Sequence, residues 1–146
     1  MEKMEFKMLI DAPKERVWDV LWGDTTYRQW TAVFSPGSRA DTDWEKGSKV
    51  LFLNDNNDGM VSMVAENIPN EYMAFIHHGV VKKGIEDTVS DEAREWTGAT
   101  ENYTLKTVGR QTELTVDGDI ADEFKDYFMK TWPKAMEKVK QLAEVS

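Results

Sequence analysis

Polar and apolar residues alternate along several short segments of the chain, and this alternation predicts half-buried β-strands. In the first segment, Glu2–Ile10, the Met, Phe and Ile side chains fall on one face. Turn-forming residues separate further segments of the same kind. These segments are Ser38–Trp44, Ser48–Leu53, Met60–Asn67, Glu71–His78, Thr100–Val108 and Thr112–Asp119. The short turns between most of them favour antiparallel pairing of neighbouring strands.

Helical spacing occurs after the first strand and again at the end of the chain. Pro13 suits the first turn of a helix that ends near Trp22, and Gly23 separates it from a second short helix. The aromatic residues that follow on this second helix are Tyr27, Trp30 and Phe34. A long amphipathic helix is predicted over Asp122–Val145, and Pro133 within it is expected to kink it.

The order of these elements predicts an α+β fold. A strand, two short helices and a run of strands precede the long helix, while Gly79–Gly98 is predicted as a long loop with a helical turn near Trp96. A long antiparallel sheet curves, and the final helix is the element large enough to cover its concave face. We therefore expect a sheet of about seven strands wrapped around the C-terminal helix, the helix-grip arrangement, in one domain spanning residues 1–146.

Composition excludes several classes of function. The 146 residues include no cysteine, and 27 Asp and Glu against 18 Lys and Arg give a net charge of −9. This charge argues against nucleic-acid binding, which requires basic side chains to neutralise phosphates. No apolar run approaches the roughly 20 residues of a membrane span. The segment from Met1 to Lys7 alternates charge with Met and Phe, unlike a signal peptide, so a cytoplasmic location is expected.

Short motifs in the same order resemble the START-like, or SRPBCC, superfamily, whose fold is also known as birch-pollen-allergen-like. The motifs are Ala12-Pro13, Val17-Trp18, Tyr27–Trp30, Trp44-x-x-Gly47, Pro69, Thr112-x-Leu114 and the ending WPKAMEKVKQL. Within the superfamily, the chain resembles bacterial homologues of the heat-shock protein 90 ATPase activator. The resemblance implies a hydrophobic cavity between the sheet and the long helix, in which family members bind lipids, sterols or polyketides and a minority catalyse reactions.

The alternation along each strand predicts which side chains line that cavity. For Glu71–His78 the resemblance to the family implies that the face of Met73, Phe75 and His77 points inward. On the other strands the apolar face is expected to point inward, and on the helices the apolar stripe does so. The predicted lining residues are Trp30, Phe34, Val50, Phe52, Met73, Phe75, His77, Glu101, Tyr103, Leu105, Leu114, Val116, Phe124, Phe128 and Trp132.

Three of these residues carry polar chemistry, and two interpretations of them stay open. Glu101 and His77 could form an acid–base pair for an enolisation or cyclisation, with Tyr103 beside them, because burial would raise the pKa of the carboxyl. Alternatively they orient the polar end of a bound ligand or fill the core, which is the preferred interpretation because such pockets more often bind than react. A third hypothesis, an interaction module like the chaperone activator, would work through the surface, so a chaperone partner and a homodimer also stay open.

The sequence predicts no metal and no cofactor. His77 and His78 are adjacent on a strand and therefore point to opposite faces, so they cannot chelate one ion. Asn54–Gly59 resembles part of a calcium loop, but Ala65 stands where the bidentate Glu belongs, and a polar turn explains the segment. No glycine-rich phosphate-binding motif is found in the sequence.

Overall fold

The computed structural model describes residues 1–145, which form one antiparallel sheet and four α-helices. The strands are β1 (Glu2–Ile10), β2 (Arg39–Asp41), β3 (Lys49–Leu53), β4 (Gly59–Ile68), β5 (Tyr72–Lys82), β6 (Ile85–Asp87), β7 (Thr100–Val108) and β8 (Gln111–Ile120). The helices are α1 (Lys14–Trp22), α2 (Asp24–Thr31), α3 (Asp91–Trp96) and α4 (Lys125–Glu144), and a 3-10 turn over Asp122–Phe124 precedes α4.

The sheet runs in the order β1-β8-β7-β5-β4-β3-β2, and the short β6 pairs with the end of β5. Every pairing is antiparallel, and β1 pairs with β8 from Glu2 to Ile10 without a register shift. Because β1 lies beside β8, the first and last strands form one edge of the sheet. The architecture confirms the predicted α+β helix-grip fold, with eight strands where about seven were expected.

Helix α4 covers the sheet with its apolar side and packs on β1, α1 and α2. Its buried residues recur at helical spacing; they are Thr131, Trp132, Ala135, Met136, Val139 and Ala143. Pro133 lies inside this helix as predicted and has no N–H to donate to the Met129 carbonyl. At the C-terminal end of α4, the Arg16 guanidinium donates a hydrogen bond to the Leu142 carbonyl at 3.0 Å. The bond satisfies one of the carbonyl groups that have no N–H partner within the last turn of a helix.

The prediction of a long loop over Gly79–Gly98 was wrong in its first part, which forms strands, whereas the helical turn predicted near Trp96 is present as α3. Strand β5 continues to Lys82 and turns through Lys83 and Gly84, both with positive φ (50° and 81°), into β6. Two consecutive positive φ values are typical of a tight hairpin turn. Ser90 then caps α3, because its hydroxyl accepts a hydrogen bond from the Ala93 N–H at 3.2 Å.

Two further boundaries differ from the prediction. Strand β2 covers Arg39–Asp41 only, and Trp44, with φ 64°, lies outside it. Helix α2 ends at Thr31, so Phe34 lies in the turn that follows. Within residues 1–145, no helix is both long enough and apolar enough to cross a membrane.

Candidate ligand-binding cavity

A cavity of about 850 Å³ lies between the sheet, α2 and the first half of α4. Its deepest wall is aromatic and almost fully buried, formed by Tyr27, Trp30, Tyr103 and Trp132. At its rim, Phe124 and Tyr127 are 41% and 39% exposed. The cavity therefore joins a buried aromatic interior to side chains that reach solvent.

Many of the residues predicted to line a cavity are brought together here. Nine of the fifteen predicted residues line the cavity: Trp30, Phe34, Phe52, His77, Glu101, Tyr103, Phe124, Phe128 and Trp132. They come from α2 and the turn after it, from β3, β5 and β7, and from the 3-10 turn and α4.

The other six lie in the packed core and not in the cavity wall: Val50, Met73, Phe75, Leu105, Leu114 and Val116. The aromatic rings of Trp22 and Trp44 explain part of this difference. Their centroids lie 5.6 and 6.0 Å from the ring of Phe75. These two rings occupy the space in front of Phe75, so one part of the concave face is filled by the protein itself.

Glu101 and Tyr103 form a polar pair in the aromatic wall. They are two residues apart on β7 and so share a face, and the Tyr103 hydroxyl donates to Glu101 Oε2 at 2.7 Å. Burial raises the pKa of the Glu101 carboxyl, and the bond from Tyr103 opposes this shift by stabilising the anion. Burial also raises the pKa of the Tyr103 phenol, and the charge of Glu101 adds to the effect.

His77 does not form the acid–base pair that the sequence suggested. Its Nδ1 shares a hydrogen bond of 2.6 Å with the Ser62 hydroxyl. Within residues 1–145, no hydrogen bond joins His77 to Glu101, whose bond comes from Tyr103. Burial lowers the pKa of His77 to about 4, so the ring is neutral at pH 7. His77 and Glu101 therefore line one cavity as separate polar groups.

His78 is exposed on the other face of β5, as its position next to His77 requires. Across residues 1–145, no group of three or more His, Asp or Glu side chains is arranged to hold a metal ion.

Sequence reasoning missed several residues of the cavity. Tyr27 was placed on α2 but not assigned to the wall, although it lies three residues before Trp30 and therefore on the same helix face. Trp96, at the end of α3, also lines the cavity, but it was not assigned to the wall because the segment around it was predicted as a loop. Tyr127 lies on α4, and its hydroxyl donates to the Phe34 carbonyl, which ties the rim to the turn after α2.

The curved sheet around a long C-terminal helix, with a cavity between them, defines the START-like helix-grip fold. No protein-family model matches the chain, and no curated protein matches its sequence. Solved structures do match its fold. The Aha1 dimer from Colwellia psychrerythraea is 18% identical, with 99% of this chain and 98% of that chain covered and a TM-score of 0.73.

Two further structures extend this comparison. Protein MLL2253 from Mesorhizobium loti is 15% identical, with 97% and 96% of the two chains covered and a TM-score of 0.73. DynU16, a protein of the dynemicin biosynthetic locus, is 13% identical over 99% of this chain and 48% of its own, with a TM-score of 0.73. These matches confirm the START-like fold and the likeness to an Aha1 structure. At such identities they establish the fold alone.

Proposed function

We propose that the protein binds a small hydrophobic molecule in the cavity between the sheet and α4. The observation that carries this proposal is the cavity of about 850 Å³ with an aromatic wall. Ligand sites in proteins fall in the range of about 300–1,000 Å³, with mainly apolar walls and a few polar groups. This cavity has that composition, because Glu101, His77 and Tyr103 are set among aromatic rings.

Affinity for such a ligand would come mainly from removing its apolar surface from water, at about 25 cal/mol per Å². A molecule that buries about 400 Å² of apolar area would gain on the order of 10 kcal/mol by this estimate. Lost translational and rotational freedom offsets between about 4 and 15 kcal/mol of such a gain. Micromolar or weaker binding is therefore the expected range for a simple apolar probe.

The first test is native mass spectrometry of gently purified protein, followed by solvent extraction of any bound molecule. A reproducible added mass that is lost on denaturation supports the proposal. The second test is titration of the purified chain with a neutral fluorescent apolar probe. A chain that carries no added mass and binds no probe contradicts the proposal.

Neighbouring residues of α4 provide a matched pair of variants for the titration. Phe128 lines the cavity, whereas Met129 is 49% exposed and does not. We expect Phe128→Asp to weaken probe binding by about tenfold or more, because it places a charge in the apolar wall. Met129→Asp should leave binding unchanged. Equal binding by the two variants would place the probe outside this cavity.

A second candidate function is a protein–protein contact at the start of α4. Phe124, Tyr127 and Met129 are between 39% and 49% exposed there, and an aromatic surface of this kind is typical of interaction sites. The likeness to the Aha1 dimer supports a self-association or a chaperone contact as the form of this role. Sedimentation analysis and a pull-down with the middle domain of heat-shock protein 90 test it, with Met129→Asp expected to weaken either contact.

A further inference from the structure

The Glu101 carboxylate has an unusual environment within the cavity. It is partly accessible to the cavity space, although aromatic rings surround it. Within residues 1–145, its one hydrogen bond comes from Tyr103 and it takes part in no ion pair. A buried carboxylate without a cation is costly. Among residues 1–145, no side chain supplies the positive charge that would complement the Glu101 carboxylate.

A second polar group of the cavity wall is also without a partner. The Tyr27 side chain is 8% exposed and lines the cavity, and its hydroxyl makes no hydrogen bond in the described part of the chain. Packed rings connect Tyr27 to Glu101: the Tyr27 ring lies 5.3 Å from Trp30, Trp30 lies 6.4 Å from Tyr103, and Tyr103 bonds to Glu101. Burial raises the pKa of the Tyr27 phenol, and the charge of Glu101 adds to the effect. The hydroxyl oxygen is thus available to accept a bond from a donor held at Glu101.

The rings around this pair form a continuous aromatic wall. The Tyr27 and Trp30 centroids are 5.3 Å apart, and those of Trp30 and Trp132 are 6.2 Å apart. Tyr103 closes the group, 6.4 Å from Trp30 and 6.0 Å from Trp132. The negative faces of such rings attract organic cations, and this attraction is stronger where water is excluded.

Most of the other charged groups in the cavity wall are negative as well. The carboxylates are Asp58, Glu92, Asp119 and Glu123, and the one guanidinium is that of Arg39. The Arg39 guanidinium already donates to the Asn54 carbonyl at 2.9 Å and to the Asn57 side chain. Two of the carboxylates are also paired, Asp119 with Lys3 and Glu92 with Lys82. Among residues 1–145, an anionic ligand would therefore meet Asp58, Glu123 and Glu101 in the wall, with no cation free of other partners to receive it.

We propose that the cavity selects a small amphiphilic amine, whose protonated nitrogen lies between the Glu101 carboxylate, the Tyr27 hydroxyl and the aromatic wall. This inference rests on the proposed function and specifies its ligand class. The ammonium donates hydrogen bonds to both oxygen atoms and supplies the absent positive charge, while its hydrocarbon part occupies the apolar remainder of the cavity.

Three probes with the same ten-carbon chain test the inference by isothermal titration calorimetry: decylamine, decanol and decanoate. The wild-type chain should bind decylamine at least about tenfold more tightly than decanol, because a hydrogen bond to a charged partner is stronger than one between neutral groups. Decanoate should bind most weakly. Glu101→Gln should abolish the preference for the amine over the alcohol.

Glu15→Gln is the matched control, since it makes the same change of net charge at an exposed position of α1 outside the cavity. It should retain the preference for the amine. A preference that persists in Glu101→Gln, or alcohol binding as tight as amine binding in the wild type, overturns the inference and leaves the cavity proposal standing. Failure of all three probes to bind overturns both.

The pH dependence of the wild-type chain gives a test that does not depend on the folding of a variant. Burial raises the pKa of the Tyr27 and Tyr103 phenols, so both stay neutral at pH 4–8. Burial lowers the pKa of His77, in the same wall, to about 4. The other acidic groups of the wall are Asp58, Glu92, Asp119 and Glu123. The amine preference should fall as the pH is lowered and Glu101 takes up a proton, with decanol affinity unchanged. An amine preference equal at pH 4 and pH 8 contradicts the inference.

Discussion

Removing the hydroxyl of Tyr103 tests how the protein stabilises a carboxyl group in an apolar wall. Tyr103→Phe keeps the ring, which is 2% exposed, and deletes only the bond of 2.7 Å to Glu101 Oε2. Because no large cavity is created, the cost is that of one hydrogen bond. This cost is about 1.5–3 kcal/mol when the acceptor is charged and about 0.5–1.5 kcal/mol when it is neutral.

The sign of the pH dependence follows from the raised pKa of Glu101. Below its ordinary pKa, Glu101 is protonated in both the folded and the unfolded chain, and its contribution to stability is fully present. As the pH rises toward the raised pKa of the folded state, the unfolded chain loses its proton first, so stability falls. Tyr103→Phe removes an interaction that lowers this pKa, so its destabilisation should grow from about pH 4 to pH 8.

Urea denaturation followed by tryptophan fluorescence provides the assay, with wild type, Tyr103→Phe, Glu101→Gln and the double variant measured at both pH values. The double-mutant cycle isolates the coupling between the two side chains. We expect a coupling of about 1 kcal/mol or more at pH 8 and a smaller one at pH 4. A cost that does not change with pH, or a coupling near zero at pH 8, would refute this account of Glu101.

Three further predictions concern stability and are measured in the same way. Trp30→Ala should cost about 3–5 kcal/mol, and Trp30→Phe should cost less, since it mainly removes the indole bond to the Leu21 carbonyl. Gly118→Ala should cost more than Gly84→Ala. A Cβ at Gly118 would lie 2.3 Å from the Thr100 carbonyl oxygen, whereas Gly84 has open space and only its φ of 81° to oppose the change. His77→Asn should reduce the loss of stability between pH 6.5 and about 4, because the buried ring has its pKa lowered to about 4 and resists protonation.

The sequence predicted the elements whose periodicity is imposed by burial on one side. Strand β1 and helix α4 each place one apolar face against the core, and their limits agree with prediction to within a few residues. In the segment from Gly79 to Gly98 the helical turn near Trp96 was predicted, but the strands and the limits of α3 were not, because they depend on local chemistry. The hairpin at Lys83 and Gly84 requires two positive φ values, and α3 depends on a single capping serine.

The positions that line the cavity were harder to predict than the face to which they belong. Inner-face residues of β8 alternate as Leu114, Val116, Gly118 and Ile120, all buried or lacking a side chain. The period of two identifies the inner face, but it does not show where side chains from other elements pack against that face and where they leave a cavity. Trp22, from α1, lies 4.8 Å from the ring of Tyr103, which lines the cavity, and 5.6 Å from that of Phe75, which does not.

Gly118 shows how backbone and cavity are linked at this boundary. It pairs directly with Glu101 across β7 and β8, so no side chain from β8 stands beside the carboxyl. The close approach of the Thr100 carbonyl excludes a Cβ there, which means that packing of the backbone itself requires the glycine. The space next to Glu101 is therefore a consequence of the sheet geometry. This is why a carboxyl group, two phenols and two indoles can surround an unfilled volume in a domain with an otherwise dense core.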